Sequence, residues 1–286
     1  MMQTSDRNGD SRPASAGRES AHQAGAPLLQ LRGIEKHFGS VRALRNVSLD
    51  IPAGQVTALV GDNGAGKSTL IKAVSGISEP DGGQLLWESR PVHIRSPKDA
   101  AGLGIATVYQ DLALCDNLDI VANMFLGREP RHGVLLDEAS MVRGATKALA
   151  DLSVVTVRSI RQAVGSLSGG QRQAVAVAKA VMWNARLVIM DEPTAALGVT
   201  QTGVVIDLIK ALADRGVAVL VVSHNLNDVF AVADRLAVLY LGTIASEGAI
   251  AEYDPQRVVE LITTGESAMR DQPVTPSTIA TARPEG

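Results

Sequence analysis

The sequence predicts an α/β fold in which buried parallel strands are covered by helices. Three short apolar runs carry this prediction, at residues 56–60, 187–190 and 217–222. Continuous apolar runs of this length are typical of parallel strands that are buried on both faces. A glycine loop or a group of acidic and polar residues follows each run. Because parallel strands end at one edge of a sheet, we expect these residues to lie together.

Helices are predicted where apolar residues recur every three to four positions. The clearest cases are residues 171–182 and 200–212, and residues 67–74 form a helix directly after the glycine loop. Another helix is predicted to start at Ser96, since proline follows at the first position and an acid, Asp99, lies three residues after the serine. These helices are expected to cover the sheet.

A helical insert is predicted at about 111–166. Strand-like runs fade between Gln110 and Ser166, and two helix-like stretches, 120–126 and 138–152, take their place. The boundaries of the folded part follow from composition. Residues 1–27 and 267–286 are rich in small and polar residues without apolar periodicity, which predicts a disordered tail and a flexible tail around one domain at 28–266.

Composition excludes several classes of protein. A formal net charge of -3 and 3% aromatic residues give no basis for a nucleic-acid partner. The longest apolar run, 217–222, is far shorter than the roughly 18 residues of a membrane-spanning helix, so contact with a membrane is expected only through a partner. A single cysteine, Cys115, and the lack of a signal-like apolar run near the start favour a cytoplasmic protein.

The glycine loop predicts a site for a nucleoside triphosphate. It lies between a strand and a helix, where backbone amides and the helix start cradle phosphates, the lysine reaches the β and γ oxygens, and the following serine hydroxyl ligates Mg²⁺. A chance glycine turn before a helix is the alternative, and the strand and helix on either side argue against it. The residues concerned are Gly61, Asp62, Asn63, Gly64, Ala65, Gly66, Lys67, Ser68 and Thr69.

Two acidic residues after the second apolar run are candidates for metal binding and catalysis. Asp191 ends a buried strand, where a carboxylate is costly unless it meets a cation such as Mg²⁺. Glu192 is placed to polarise a water molecule in line with the γ-phosphate. Alone, the pair would read as a helix cap and a solvated acid, but the glycine loop upstream favours catalysis.

The pentapeptide Leu167-Ser168-Gly169-Gly170-Gln171 makes the prediction specific. Together with the glycine loop and the Asp-Glu pair, it resembles the ATP-binding-cassette (ABC) ATPases over about residues 29–260. The resemblance implies a P-loop NTPase (RecA-like) core with an N-terminal antiparallel β subdomain and an inserted helical subdomain. It also implies ATP and Mg²⁺ as cofactors and hydrolysis of ATP as the activity.

Three more site residues are implied by the same resemblance. Gln110 matches the glutamine that contacts Mg²⁺ and water, and His224 matches the histidine that contacts the γ-phosphate. Phe38 matches the aromatic residue that stacks on adenine, and a plain core phenylalanine is the equal alternative. Each residue alone is weak evidence.

The pentapeptide also predicts a second anion site. Ser168 can cap the following helix, and two glycines with Gln171 open a helix start that suits a phosphate. Since the P-loop already binds the phosphates within one chain, the resemblance implies ATP held between the P-loop of one copy and residues 168–171 of another. We therefore expect a head-to-tail dimer.

The sequences of residues 61–70, 109–114 and 123–129 are similar to those of bacterial monosaccharide importers of the fructose and ribose type. This implies permease subunits in the membrane, an indirect link to a periplasmic or extracellular sugar-binding protein, and a place on the cytoplasmic face of the bacterial inner membrane. Residues after Gln110, namely Ala113, Leu114, Met124 and Phe125, either contact the permease or pack the insert. Gly198 departs from the family, which often has an aspartate there that couples the two sites.

Two alternative functions stay open at this point. One is a soluble ABC-type ATPase that is not coupled to transport, although such proteins usually carry coiled-coil inserts or tandem cassettes, and neither is visible here. The other is a regulatory subunit that senses ATP without turnover. The Asp191-Glu192 pair argues against the second alternative, and Gly198 keeps it open.

Overall fold

The computed structural model describes residues 27–266, except 153, 155, 156 and 158. The tail predicted at 267–286 and all but the last residue of the tail predicted at 1–27 lie outside the described residues. Within the described part, no helix combines the length and the hydropathy needed to cross a membrane.

An antiparallel sheet of four strands forms the N-terminal layer. Its strands are β1 (Pro27–Phe38), β2 (Val41–Pro52), β4 (Gly82–Trp87) and β5 (Arg90–Val92). Their order is β2-β1-β4-β5, and hydrogen bonds pair β1 with β2 along most of their length. This sheet was expected from the family resemblance.

A six-stranded sheet forms the centre of the molecule. Its strands are β3 (Val56–Val60), β6 (Ile105–Val108), β9 (Leu187–Asp191), β10 (Ala218–Val222), β11 (Arg235–Tyr240) and β12 (Thr243–Ala249). Their order is β12-β11-β3-β10-β9-β6. Strands β11, β3, β10, β9 and β6 run parallel, and β12 pairs antiparallel with β11. The three predicted apolar runs are β3, β9 and β10.

Eight α-helices surround the central sheet in the described part of the chain. Most predicted helices are present within two residues of their predicted bounds. Ser96 caps the helix that begins at Pro97, as expected, and its hydroxyl accepts a hydrogen bond from the amide of Asp99 at 3.3 Å. The helices are α1 (Lys67–Val74), α2 (Pro97–Leu103), α3 (Ile120–Phe125), α4 (Glu138–Asp151), α5 (Gly169–Val181), α6 (Val199–Asp214), α7 (Leu226–Val232) and α8 (Pro255–Thr264).

The insert differs from its prediction in one respect. Between α3 and α4 the chain forms a short hairpin of β7 (Arg131–His132) and β8 (Leu135–Leu136), which the fading of strand-like runs did not predict. The apolar residues of this hairpin are solvent-exposed, with Val134 94% exposed. A two-residue strand without a buried face leaves no periodic pattern in a sequence.

The core lies on both faces of the central sheet, as the continuous apolar runs predicted. Alternate residues of each strand point to opposite faces. Val188 and Met190 of β9 pack against the helices of the insert side, whereas Leu187 and Ile189 pack towards α1, α2 and the antiparallel sheet. The parallel strands of the central sheet all end at its carboxyl edge, and the candidate residues lie at this edge.

Candidate functional site

The glycine loop lies between β3 and α1, and its conformation requires glycine at specific positions. Gly66 has φ 111°, and a Cβ atom there would lie 2.7 Å from the carbonyl oxygen of Ala43 in β2. A Cβ atom on Gly61 would lie 2.3 Å from the carbonyl oxygen of Leu239 in β11. Gly64 has φ 82° and no atom within 4 Å of its Cβ position. Gly64 therefore leaves space for a ligand, while Gly61 and Gly66 let the loop pack on the protein's own backbone.

Lys67 begins α1 and its ammonium group lies over the loop. The Nζ atom donates hydrogen bonds to the carbonyl oxygens of Gly61 at 2.7 Å and Asp62 at 3.0 Å. Asp62 also shapes the loop, since its carbonyl oxygen accepts from the amide of Ala65 and its carboxylate accepts from the amide of Asn63. The charge of Lys67 is thus held over the loop by two of the loop's own carbonyl oxygens.

A cavity of about 460 Å³ brings most of the predicted residues together. The lysine, the hydroxyl groups of Ser68 and Thr69, the amide of Gln110 and the carboxylates of Asp191 and Glu192 share this space. The lining residues are Val41, Arg42, Ala43, Arg45, Asn63, Gly64, Gly66, Lys67, Ser68, Thr69, Gln110, Asp191, Glu192 and Leu241.

Asp191 ends β9 in an environment that disfavours its charged form. Burial, and then the neighbouring charge of Glu192, raise the pKa of the Asp191 carboxyl above its ordinary value, and Lys67 lowers it. Because this folded-state pKa lies above that of the unfolded chain, the stability contributed by this group falls as the pH rises between the two values. An ionised Asp191 therefore favours a nearby cation.

The residues present fit a magnesium ion. A hydroxyl oxygen, an amide oxygen and a carboxylate are the hard donors that Mg²⁺ prefers, and it commonly uses one carboxylate together with phosphate oxygens and water. Ser68, Gln110 and Asp191 supply these donors around one cavity. The desolvated carboxylate of Asp191 gives the independent reason for a cation there.

Asp191→Asn tests this account of the buried charge. The variant is expected to raise the unfolding temperature of the nucleotide-free protein at pH 7 by roughly a few degrees at most, because a costly charge is removed. It is also expected to lose the extra stabilisation that Mg²⁺ gives together with ATP. Thermal unfolding with and without the ion measures both effects, and a lower unfolding temperature without ligand would contradict the account.

Glu192 has a strained backbone and a close ionisable neighbour. Its φ of 51° lies in the left-handed region, which is uncommon for a residue other than glycine, and its amide donates to the carbonyl oxygen of Val222 in β10 at 2.8 Å. Its Oε1 atom lies 2.8 Å from Nδ1 of His224. The residues after β9 and β10 therefore meet at the carboxyl edge of the sheet, as predicted.

Phe38 ends β1 and is not one of the residues that line the cavity. It pairs with Val41 and is 53% exposed, so it is not a core residue. The ammonium of Lys36 lies 5.8 Å from the centre of its ring. The structure thus excludes the alternative of a buried packing role.

The pentapeptide opens α5 and does not line this cavity. Ser168 and Gln171 form a capping box, in which the amide of Gln171 donates to the Ser168 hydroxyl at 3.4 Å and the amide of Ser168 donates to the Gln171 side chain at 3.0 Å. Gly169 and Gly170 pack near Leu197 and Gln201 of the α6 region, so a side chain at either position would crowd these residues. Gly198 caps α6 without a side-chain hydrogen bond.

Sequence reasoning missed the walls of the cavity that come from distant segments. Val41, Arg42, Ala43 and Arg45 come from β2, and Leu241 comes from the turn between β11 and β12. Leu241 is 59% exposed with φ 45°. No motif marks these residues, and only the contact between the two sheets brings them to the loop.

The described site defines a class of protein, the P-loop nucleoside triphosphatases, by its strand-loop-helix, its lysine and its acidic strand end. The sequence also matches the family described as ABC transporter over residues 44–195. The chain belongs to the ABC transporter family.

Named relatives and solved structures agree with this assignment. The chain is 45% identical over 237 residues to the xylose/arabinose import ATP-binding protein XylG of Sulfolobus acidocaldarius, covering 83% of this chain and 94% of the relative. It is 48% identical over 223 residues to the fructose import ATP-binding protein FrcA of Rhizobium meliloti, covering 76% of this chain and 86% of the relative.

Solved cassettes confirm the predicted fold. One structure is a dimeric ATP-binding cassette in a post-hydrolysis state, bound to ADP and phosphate. It matches with a TM-score of 0.64 at 25% identity, and covers 78% of this chain and 98% of the solved chain.

Proposed function

We propose that this protein is the subunit that binds and hydrolyses ATP to power an ABC importer for a monosaccharide. The observation that carries the proposal is the single cavity where Lys67, Ser68, Gln110, Asp191 and Glu192 meet. Relatives at 45% and 48% identity are named as ATP-binding proteins for import of xylose or arabinose and of fructose, which supports a sugar of this size. Ribose is a further candidate.

The proposed mechanism assigns one role to each residue around the phosphates. Lys67 and the loop amides bind the β- and γ-phosphates and balance their charge. Ser68, Gln110 and Asp191 would hold Mg²⁺, which supplies charge neutralisation when bound. Glu192 orients a water molecule and accepts its proton, and His224, beside it, contacts the γ-phosphate. Phe38 would stack on the base beside the cavity.

A second copy of the chain would complete the site. The start of α5 is formed by Ser168, Gly169, Gly170 and Gln171, and none of these residues lines the cavity of their own chain. A helix start binds anions through these amides and the helix dipole. The similar cassette that was solved as a dimer with ADP and phosphate supports a shared site.

A groove beside the insert supports the proposed contact with a permease. This second cavity, of about 340 Å³, is lined by Tyr109, Ala113, Met124, Leu126, Arg128 and Trp183, among others. Of the four residues considered from sequence, Ala113 is exposed, Leu114 is partly buried, and Met124 and Phe125 are 1% and 7% exposed. Ala113 would contact the permease, while Phe125 packs the insert.

The proposed place of the protein is the cytoplasmic face of the bacterial inner membrane, attached through the permease. A sugar-binding protein outside the membrane would supply the substrate to the permease, and the cassette would not contact it. The alternative of a soluble ABC-type ATPase finds little support, since the helices of the described insert have at most 14 residues, too short for a long coiled coil.

Mixing two inactive variants tests the shared site. Ser168→Asp keeps a good helix cap but sets a carboxylate where the phosphate of the partner would bind. Lys67→Ala disables the loop. Each variant alone is expected to hydrolyse ATP at least about tenfold more slowly than the parent, and the mixture is expected to regain activity because the mixed dimer contains one intact site.

The controls separate assembly from folding. Ser168→Asn keeps the cap without the charge and is expected to lose much less activity than Ser168→Asp. A chain that carries both Lys67→Ala and Ser168→Asp is expected to give no recovery with either single variant beyond the background. Absence of recovery in the mixture, with both proteins folded, would mean that each chain uses only its own residues. ATP-driven uptake of candidate sugars by the reconstituted importer then tests the substrate.

A further inference from the structure

Asp228 is a half-buried carboxylate outside the nucleotide cavity that links two separate segments. It lies in the first turn of α7, and its Oδ2 atom accepts two hydrogen bonds. The hydroxyl of Thr194 donates to it at 2.6 Å, and the side-chain amide of Asn225 donates to it at 3.0 Å. One carboxylate oxygen thus joins the segment after β9 to the segment after β10.

Both donors adjoin residues of the proposed reaction. Thr194 lies two residues after Glu192, and Asn225 directly follows His224. Glu192 and His224 are themselves 2.8 Å apart. The two segments are therefore connected by side chains twice, once through Glu192 and His224 and once through Asp228.

The segment after β9 needs an anchor of this kind. Glu192 has a left-handed φ of 51°, and Ala196, four residues on, has φ 60°. Conformations of this type persist when the surrounding structure fixes them. The Thr194 side chain is buried at 9% exposure, and hydrogen bonds to an ionised acceptor are stronger than neutral ones. The bond from Thr194 to Asp228 ties this turn to α7, in addition to the bond from the Glu192 amide to β10.

We propose that Asp228 is a positioning residue that keeps Glu192 and His224 aligned for attack on the γ-phosphate. It does so through Thr194 on one side and Asn225 on the other, without contact with the nucleotide. This inference rests on the proposed function, because it assigns a role within ATP hydrolysis. Asp228 also suits the first turn of a helix as an acid, so the test must separate alignment from helix stability.

Thr194→Val removes the donor while keeping the shape of the side chain. The variant is expected to lower kcat for ATP roughly 10- to 100-fold, the effect of a small misplacement of a reacting group, with KM changed by less than about twofold. Thr194→Ser keeps the hydroxyl and is expected to restore kcat to near the parent value. Asn225→Asp retains the helix cap, loses the donor and repels Asp228, and is expected to lower kcat in the same way.

A double variant identifies the shared cause. If Asp228 acts through these bonds, Thr194→Val combined with Asp228→Ala is expected to be no slower than the slower single variant, because both changes break the same connection. Full additivity of the two effects would overturn the proposal. A lower unfolding temperature of Thr194→Val with kcat unchanged would also overturn it, since that result would mean that Asp228 only stabilises the fold.

A measurement without turnover separates this proposal from the proposed function. In the nucleotide-free protein, the NMR resonances of the His224 ring are expected to shift in Thr194→Val and to stay in place in Thr194→Ser. Unchanged resonances in both variants would overturn the positioning role. Lack of ATP hydrolysis by the parent protein would instead contradict the proposed function, and the ring resonances would still report on the alignment.

Discussion

Glu192→Gln is expected to slow steady-state ATP hydrolysis by at least about 100-fold while ATP stays bound, because the amide cannot accept the proton of the attacking water. The change is nearly isosteric, so the left-handed turn at Glu192 and its hydrogen bond to β10 should persist. If the proposed shared site closes on ATP and reopens after hydrolysis, the variant is expected to accumulate as a dimer in the presence of ATP and Mg²⁺.

Turnover assays and light scattering measure these two effects together. Glu79→Gln is the matched control, since this glutamate lies away from the nucleotide cavity and is more than half exposed. The control should hydrolyse ATP at the parent rate and stay in the parent's monomer-dimer equilibrium. Hydrolysis by Glu192→Gln at the parent rate would show that another group is the general base.

Lys67→Ala is expected to weaken ATP binding about 10- to 100-fold. A hydrogen bond to a charged group contributes about 1.5–3 kcal/mol, and about 1.4 kcal/mol corresponds to a tenfold change in affinity. The ammonium group now rests on the carbonyl oxygens of Gly61 and Asp62, so it is already held within the loop before the phosphates arrive. The affinity of Lys67→Ala for AMP, which lacks the β- and γ-phosphates, is expected to stay close to that of the parent.

Titration calorimetry with ATP and with AMP tests this prediction. Lys72→Ala serves as the control because Lys72 lies on the same helix, α1, and is exposed. Equal affinity of the parent and of Lys67→Ala for ATP would contradict the proposed role. Equal losses for ATP and AMP would instead indicate that the loop itself had changed.

Local signals made much of the fold predictable from the sequence. Buried parallel strands leave unbroken apolar runs, and helix caps such as Ser96 leave short patterns, because both depend on residues close together in the chain. The loop, Asp191 and Glu192 were predictable for the same reason. Each stands directly after a strand, and the sheet brings strand ends together.

Contacts between distant segments could not be predicted in this way. Leu241 and the start of β2 reach the cavity only because two sheets pack together, and Asp228 meets Thr194 across 34 positions of sequence. Glycine is required at position 61 because of a residue far along the chain, Leu239 in β11, whose carbonyl oxygen leaves no room for a Cβ atom. Sequence reasoning identified the loop and strand-end residues that line the cavity, and missed the distant segments that complete its walls.

The backbone contacts of the glycine loop limit how far the chain can be shortened before it no longer folds around a nucleotide. The match to the family spans residues 44–195, yet the backbone neighbours of Gly66 and Gly61 lie outside it. Ala43 directly precedes the matched segment, and Leu239 lies well beyond its end. A protein trimmed to the matched segment would keep every residue of the glycine loop and lose the backbone of β11 against which Gly61 packs. The smallest unit that folds around a nucleotide is therefore expected to extend from the first strand through the β11–β12 turn.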